Sequence, residues 1–177
     1  MKIGGKKLNG PNVMTLVLPR EGEDDIVIKA QAVLDMEDFE SLCPEPIPPS
    51  IRMAGGEIVK DVKDETFLKK VKEHNERRYR YIILKSLEAT PGLEWETVNL
   101  RQPETWENYF EEMKSAGFSN AERSRIELLV FDANALSEDR LKEARDRFLR
   151  SQQQDRARQS SLKEEPSNME SGAPANG

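Results

Sequence analysis

The side chains able to do chemistry are few. The only histidine is His74, within Lys72-Glu73-His74-Asn75-Glu76, and the only cysteine is Cys43. An imidazole near neutral pH serves as general base or metal ligand, and a Cys–His pair serves as nucleophile and base. One His and one Cys cannot complete the usual tetrahedral zinc site. Cys43 stands beside a proline-rich stretch that nothing in the sequence aims at His74, which reads as a solvated helix position. Glu94 and Glu96 share a face on a strand but not on a helix, and paired carboxylates can do acid–base work. With 33 Asp plus Glu in the chain, such a pair arises by chance. Gly4-Gly5 and Gly55-Gly56 lack phosphate-loop spacing and read as turns. No catalytic residue, metal ligand or cofactor site emerges, so the expected role is binding other proteins rather than catalysis.

The charge balance narrows the partners. The chain carries 27 Lys plus Arg against 33 Asp plus Glu, a net −6. An acidic chain repels phosphate backbones unless its cations are segregated. Arg140 to Arg158 holds seven basic residues against three acidic, net +4, which is the strongest nucleic-acid signal. Cations near a helix C-terminus are also favoured by the helix dipole. Only Phe148 interleaves to stack on bases. Ala133-Asn134-Ala135-Leu136 loosely resembles a helix-turn-helix corner, yet the basic and acidic residues from Ser119 to Arg150 cancel. Nucleic acid is thus an unfavoured partner. A single cysteine forms no internal disulfide and fits a reducing compartment. The N-terminus is not followed by an apolar run, and no segment approaches the ~18 apolar residues of a membrane span. A cytosolic protein is expected, with no membrane partner.

The elements that must position these residues are mainly helical. Val13–Leu18 and Ile26–Val33 are strand-like and joined by a polar Pro- and Gly-containing loop, predicting a β-hairpin that must pack on something. Asp35 is a candidate cap for a short helix with Met36, Phe39 and Leu42 on one side. Residues 1–43 thus form a hairpin-and-helix segment. Pro44, Pro46, Pro48 and Pro49, followed by Gly55-Gly56, mark residues 44–63 as a proline/glycine linker. A long helix is expected from about Glu65 to Glu88, its apolar set being Phe67, Leu68, Val71, Tyr79, Ile82, Ile83 and Leu87. Leu93–Val98 reads as a short extended piece. A helix from Pro103 to Ala116 carries Trp106, Tyr109, Phe110 and Met113 and stops at Gly117. Ser119-Asn120-Ala121-Glu122 has the capping-box form and opens a helix with Ile126, Leu129, Val130 and Ala133 inward. Ser137 caps a last helix with Leu141, Ala144, Phe148 and Leu149. Residues 64–150 are therefore read as a compact bundle of about four helices, and the polar stretch 151–177 as a disordered tail.

Tyr79 and Tyr81 cannot both face inward on one helix. The exposed one, beside Arg77, Arg78 and Arg80, is a possible partner-contact patch. Trp95, Trp106, Tyr109, Phe110 and Phe118 read as core.

A family resemblance sharpens the binding reading. It rests on Leu8-Asn9-Gly10-Pro11 before the hairpin, Asp25-Ile26-Val27-Ile28-Lys29-Ala30 in its second strand and Leu42-Cys43-Pro44-Glu45-Pro46. It continues through Leu87-Glu88-Ala89-Thr90, Leu93-Glu94-Trp95-Glu96-Thr97-Val98, Pro103-Glu104-Thr105-Trp106, Ala116-Gly117-Phe118-Ser119 and Asp132-Ala133-Asn134-Ala135-Leu136. In these features, over roughly residues 1 to 150, the chain resembles the tail assembly chaperones of long-tailed, siphovirus-type bacteriophages. The resemblance implies a non-enzymatic protein of the host cytoplasm, absent from the finished virion. It would bind the tape measure protein, keep it soluble and help recruit tail-tube protein subunits. It also implies a frameshift-extended form, to which the tail from Ser151 would lead. The hairpin and the proline linker separately offer an arm for pairing with a neighbour's strand edge, so the chain itself is a further expected partner. The alternative is a permanent structural component of the virion, a minor tail or head–tail protein. The matching motifs concern packing and turns and bring no active-site position with them.

Overall fold

The computed structural model describes residues 1–22, 24–135 and 138–163. The chain begins with a minimal hairpin, β1 (Lys2–Ile3) and β2 (Lys6–Lys7), turned by Gly4 and Gly5 at φ 57° and 80°. Two successive positive φ values are open to glycine at little cost, which is why a Gly-Gly pair sits there. The principal hairpin pairs β3 (Val13–Leu18) antiparallel with β4 (Ile26–Gln31), in register from Val13 opposite Gln31 to Leu18 opposite Ile26. Strand alternation places Met14, Leu16, Leu18, Ile26, Ile28 and Ala30 on the inward face. Val13, Val17 and Val27 point out to solvent.

The short helix α1 (Glu37–Leu42) follows. Its N-cap position is Met36 and no side chain caps it, so the expected Asp35 cap is not made. Phe39 is buried, whereas Leu42 is 37 % exposed. Residues 44–63 depart further from the linker expected there. They contain a third hairpin, β5 (Ser50–Arg52) with β6 (Ile58–Lys60), closed by Gly56 N–H donating to the Met53 carbonyl at 2.8 Å. The four prolines all precede Ser50, so they end where the strands begin. Ile51, Ile58 and Val59 flanking Gly55-Gly56 are a hairpin signal that the prolines overshadow.

Helix α2 spans Glu65–Leu87, and Asp64 Oδ1 accepts the Phe67 N–H at 2.7 Å as its N-cap. Tyr81, Ile83, Leu84, Ser86 and Leu87 are its buried positions. Leu93–Val98 forms no paired strand; Leu93, Trp95 and Val98 lean on the core from a loop. The helix expected from Pro103 to Ala116 is split into a 3-10 helix, Pro103–Asn108, and α3, Tyr109–Ser115. The tighter 3-10 winding changes the phase between the two pieces. Trp106, Tyr109 and Met113 are buried as expected, but Phe110 is 43 % exposed. Helix α3 ends with Phe118 N–H donating to the Met113 carbonyl and Gly117 N–H to that of Lys114, both at 3.0 Å, a Schellman closure. Helix α4 (Asn120–Ala135) opens with the expected capping box: Glu122 N–H donates to Ser119 Oγ at 3.2 Å, and Ser119 N–H returns to Glu122 Oε2 at 2.8 Å.

The hairpin β3–β4 lies across α2 and α4, and its inner face joins theirs in one apolar core. Phe39, Tyr81 and Trp106 meet at its centre with ring centroids 5.3 to 6.2 Å apart. Polar ties lock the layers. Thr90 Oγ1 accepts the Lys29 N–H at 2.8 Å and donates to the Lys29 carbonyl at 2.7 Å. Asn134 Oδ1 accepts the Val33 N–H at 2.8 Å, while its Nδ2 donates to Ser86 Oγ at 2.9 Å.

The contacts divide the chain differently from the ranges 1–43, 44–63, 64–150 and 151–177. One compact unit is Met1–Ala135, with the principal hairpin built into it; the other begins at residue 136. The second unit contains α5 (Glu138–Lys163), on which Leu141, Ala144, Phe148 and Leu149 are exposed. The polar stretch from Ser151 is helical as far as Lys163; residues 164–177 and the expected cap Ser137 lie outside the described residues. The run Gln152-Gln153-Gln154-Asp155-Arg156-Ala157-Arg158-Gln159 holds several good helix formers, which propagate an existing helix well.

Candidate interaction surface

His74 is half-buried against Phe39, with ring centroids 5.2 Å apart and Nε2 3.1 Å from the Cys43 carbonyl oxygen. It therefore anchors the end of α1 to α2 rather than standing in solvent. The pair His74–Cys43 does meet, but through the cysteine's backbone. Cys43 is 5 % exposed, and burial raises its pKa, with Arg77 acting in the opposite sense. A raised pKa depletes the thiolate, the reactive form. Beside them is a cleft of about 530 Å³ lined by Phe39, Pro44, Pro46, Val71, His74 and Arg78.

Glu94 and Glu96 are exposed loop residues, and no described residue pairs with their carboxylates. The carboxylate that organises this loop is Glu112. It accepts the Glu96 N–H at 2.9 Å, the Thr97 N–H at 2.6 Å and the Thr97 hydroxyl. Burial pushes the Glu112 pKa up, but these hydrogen bonds outweigh it and leave it lowered. Among the described residues, no group of three or more His, Cys, Asp or Glu is placed to hold a metal ion. Nor, among them, is any helix long and apolar enough to cross a membrane.

The residues expected to form a contact patch fan out around α2, because each successive residue turns by about 100°. Tyr81 is 3 % exposed in the aromatic core, which removes it from any partner surface. Arg77 lies by Cys43, Arg78 lines the cleft, and Arg80 Nη1 reaches Glu107 Oε2 at 3.4 Å. Tyr79 alone of the aromatic pair is exposed, at 50 %. Its hydroxyl donates to Glu127 Oε2 at 3.4 Å, and the buried Tyr109 hydroxyl donates to Oε1 of the same carboxylate at 3.2 Å. Burial, then the Glu127 charge, raises the pKa of both phenols.

Glu127 leads to the larger apolar surface, which the sequence pattern does not single out. On α4, Leu128 and Phe131 are 58 % and 57 % exposed, one turn apart on the outer face. At the other end of α4, Arg123 is 6 % exposed and stacks under Phe110, Cζ lying 3.7 Å from the ring centroid. Its Nη2 donates to Asn120 Oδ1, while Nε and Nη1 have no partner among the described residues. Helix α5 carries a second apolar stripe, Leu141 and Phe148, seven residues and two turns apart. Both stripes leave large apolar side chains open to solvent.

No family model matches the chain, and no curated protein or solved structure is detectably similar to it.

Proposed function

We propose that this chain is an assembly chaperone for a long-tailed bacteriophage tail, binding the tape measure protein and holding it soluble while tail-tube subunits are recruited. The observation that carries the reading is the pair of solvent-facing apolar helical stripes, Leu128 with Phe131 and Leu141 with Phe148. Large apolar side chains clustered in the open mark protein-binding surfaces. A long, apolar, helical client is the partner such stripes suit, through side chains docking at helical spacing. The net charge of −6 keeps a chaperone–client complex in solution. The resemblance of its residue pattern to tail assembly chaperones is what suggests the tape measure protein as the client. Self-association and a frameshift-extended form belong to the same proposal, as does action in the host cytoplasm.

Co-expression with the tape measure protein of the same genome tests it. The client should become soluble and co-purify only with this chain, and Leu128→Glu with Phe131→Glu should abolish co-purification while the chaperone itself stays folded. A client that remains insoluble, together with many copies of this chain in purified virions by mass spectrometry, overturns the reading in favour of a structural virion component.

A further inference from the structure

The principal hairpin has two edges, and they are treated differently. On β4, the N–H and carbonyl of Lys29 point away from β3, since both are taken by the Thr90 hydroxyl. In an antiparallel ladder the bonded pairs alternate. Thr15, which lies opposite Lys29, therefore also turns its N–H and carbonyl outward, as do Val13 and Val17 two residues to either side. The Ala32 N–H bond to the Asn12 carbonyl, at 2.8 Å, has the same parity. Among the described residues, none donates to or accepts from the backbone of Val13, Thr15 or Val17. The strand has none of the usual protections of an edge: no inward charge, no bulge and no proline between residues 13 and 18. Its outward side chains are uncharged and β-branched.

We propose that β3 is a strand-pairing edge whose occupant is β3 of a second copy of this chain, antiparallel about a twofold axis through Thr15. Three features of the chain select that occupant. First, the edge is self-complementary: Thr15 faces Thr15 of the partner copy and Val13 faces Val17, so all three outward N–H and carbonyl groups of each copy are satisfied. Second, Pro11 and Pro19 stand at equal distances from Thr15 and end the new ladder at both sides. Third, the charges match. Lys2, Lys6 and Lys7 precede the strand, and Glu21, Asp24 and Asp25 follow it. Antiparallel pairing sets the basic segment of each copy beside the acidic loop of the other; parallel pairing would stack like charges. The product is a four-stranded sheet, β4-β3-β3-β4, with the core helices of each copy beneath. This does not rest on the chaperone reading and would hold for a virion component equally.

Cysteine cross-linking in the full chain reads the register. The native Cys43 is buried and does not compete. Thr15→Cys should oxidise to a disulfide-linked dimer, because a hydrogen-bonded pair has Cα atoms about 5.5 Å apart, within disulfide reach. Val13→Cys alone should not, since in this register position 13 of one copy lies about 13 Å from position 13 of the other. Val13→Cys mixed with Val17→Cys should form the mixed dimer. Sedimentation of the unmodified chain should show a dimer by about 100 µM, in keeping with a small interface. Thr15→Lys should sediment as a monomer with an unchanged melting temperature, and Lys6→Glu with Lys7→Glu should weaken the dimer about tenfold at low salt. A chain monomeric at that concentration, or cross-linking equally at residues 13 and 15, overturns the proposal. So does a dimer that survives Thr15→Lys.

Discussion

Thr90 offers the sharpest test of how this fold is held, because packing and hydrogen bonding predict opposite outcomes there. It is 8 % exposed, and its hydroxyl is the partner of both the N–H and the carbonyl of Lys29, 61 residues away. Thr90→Val keeps the shape and removes the hydroxyl, orphaning two backbone groups. A fully buried orphan costs about 1–3 kcal/mol. Lys29 is half-buried, so water recovers part of that, and the added methyl of valine returns up to about 1 kcal/mol. The net cost is about 1.5–2.5 kcal/mol, or about 5–10 °C in melting temperature for a unit of this size. Thr90→Ser keeps both hydrogen bonds and loses one buried methyl, about 1 kcal/mol. Thermal denaturation by circular dichroism should therefore rank wild type above Ser above Val. Packing alone ranks Val above Ser. If Thr90→Val melts at or above Thr90→Ser, the reasoning about the β4 edge is wrong.

Trp106 is fully buried and its Nε1 donates to the Asn99 carbonyl at 3.1 Å; Trp106→Ala should cost about 3–5 kcal/mol in urea unfolding, enough to leave the chain marginal or unfolded. Cys43 should resist thiol reagents at pH 8 in the folded chain and react at the rate of a free thiol in denaturant, because burial first of all raises its pKa. Glu122 is held at about 2, below its ordinary 4.5, by the Ser119 N–H first, then the Ser119 hydroxyl and Arg20, whose Nη1 lies 2.5 Å from Oε1. A lowered folded pKa means the native state binds fewer protons than the unfolded state. Its stabilisation is therefore complete above pH 4.5 and is lost as pH falls toward 2. An acid titration of melting temperature should show a shallower fall over that window in Glu122→Gln.

What the sequence reveals is local. The β3–β4 alternation, the capping box at Ser119 and the Gly117 stop each lie within a few residues of chain, where the physical cause and its effect sit together. The strands of β5 and β6 are just as local, but four neighbouring prolines favour a linker over a hairpin. Residues whose role depends on distant partners are out of reach. Nothing near Thr90 indicates that it closes a strand edge, and nothing near Arg123 indicates that it is buried beneath Phe110. Tyr79 and Tyr81 can be recognised as facing opposite ways, yet only the position of Trp106 and Phe39 decides that Tyr81 is the inner one. Helix α5 matches its expected apolar spacing, and spacing alone does not say whether a stripe is packed or open.

The contrast between the two strand edges bears on how far association can go. A two-stranded sheet with both edges open adds copies at each side and has no reason to stop. Here the middle of the β4 edge is occupied by a side chain of the same unit, and only β3 is left open, so edge pairing ends at two copies. The acidic loop and basic N-terminus flanking β3 favour one orientation of that pair and oppose slippage by two residues, which would leave a valine and a backbone pair uncovered at each end. For a chain proposed to keep an apolar helical client in solution, such a limit is functional. A chaperone that polymerised through its own edges would precipitate with its client, whereas a twofold pair would carry each exposed stripe twice and would gain avidity for a repetitive client from the doubling.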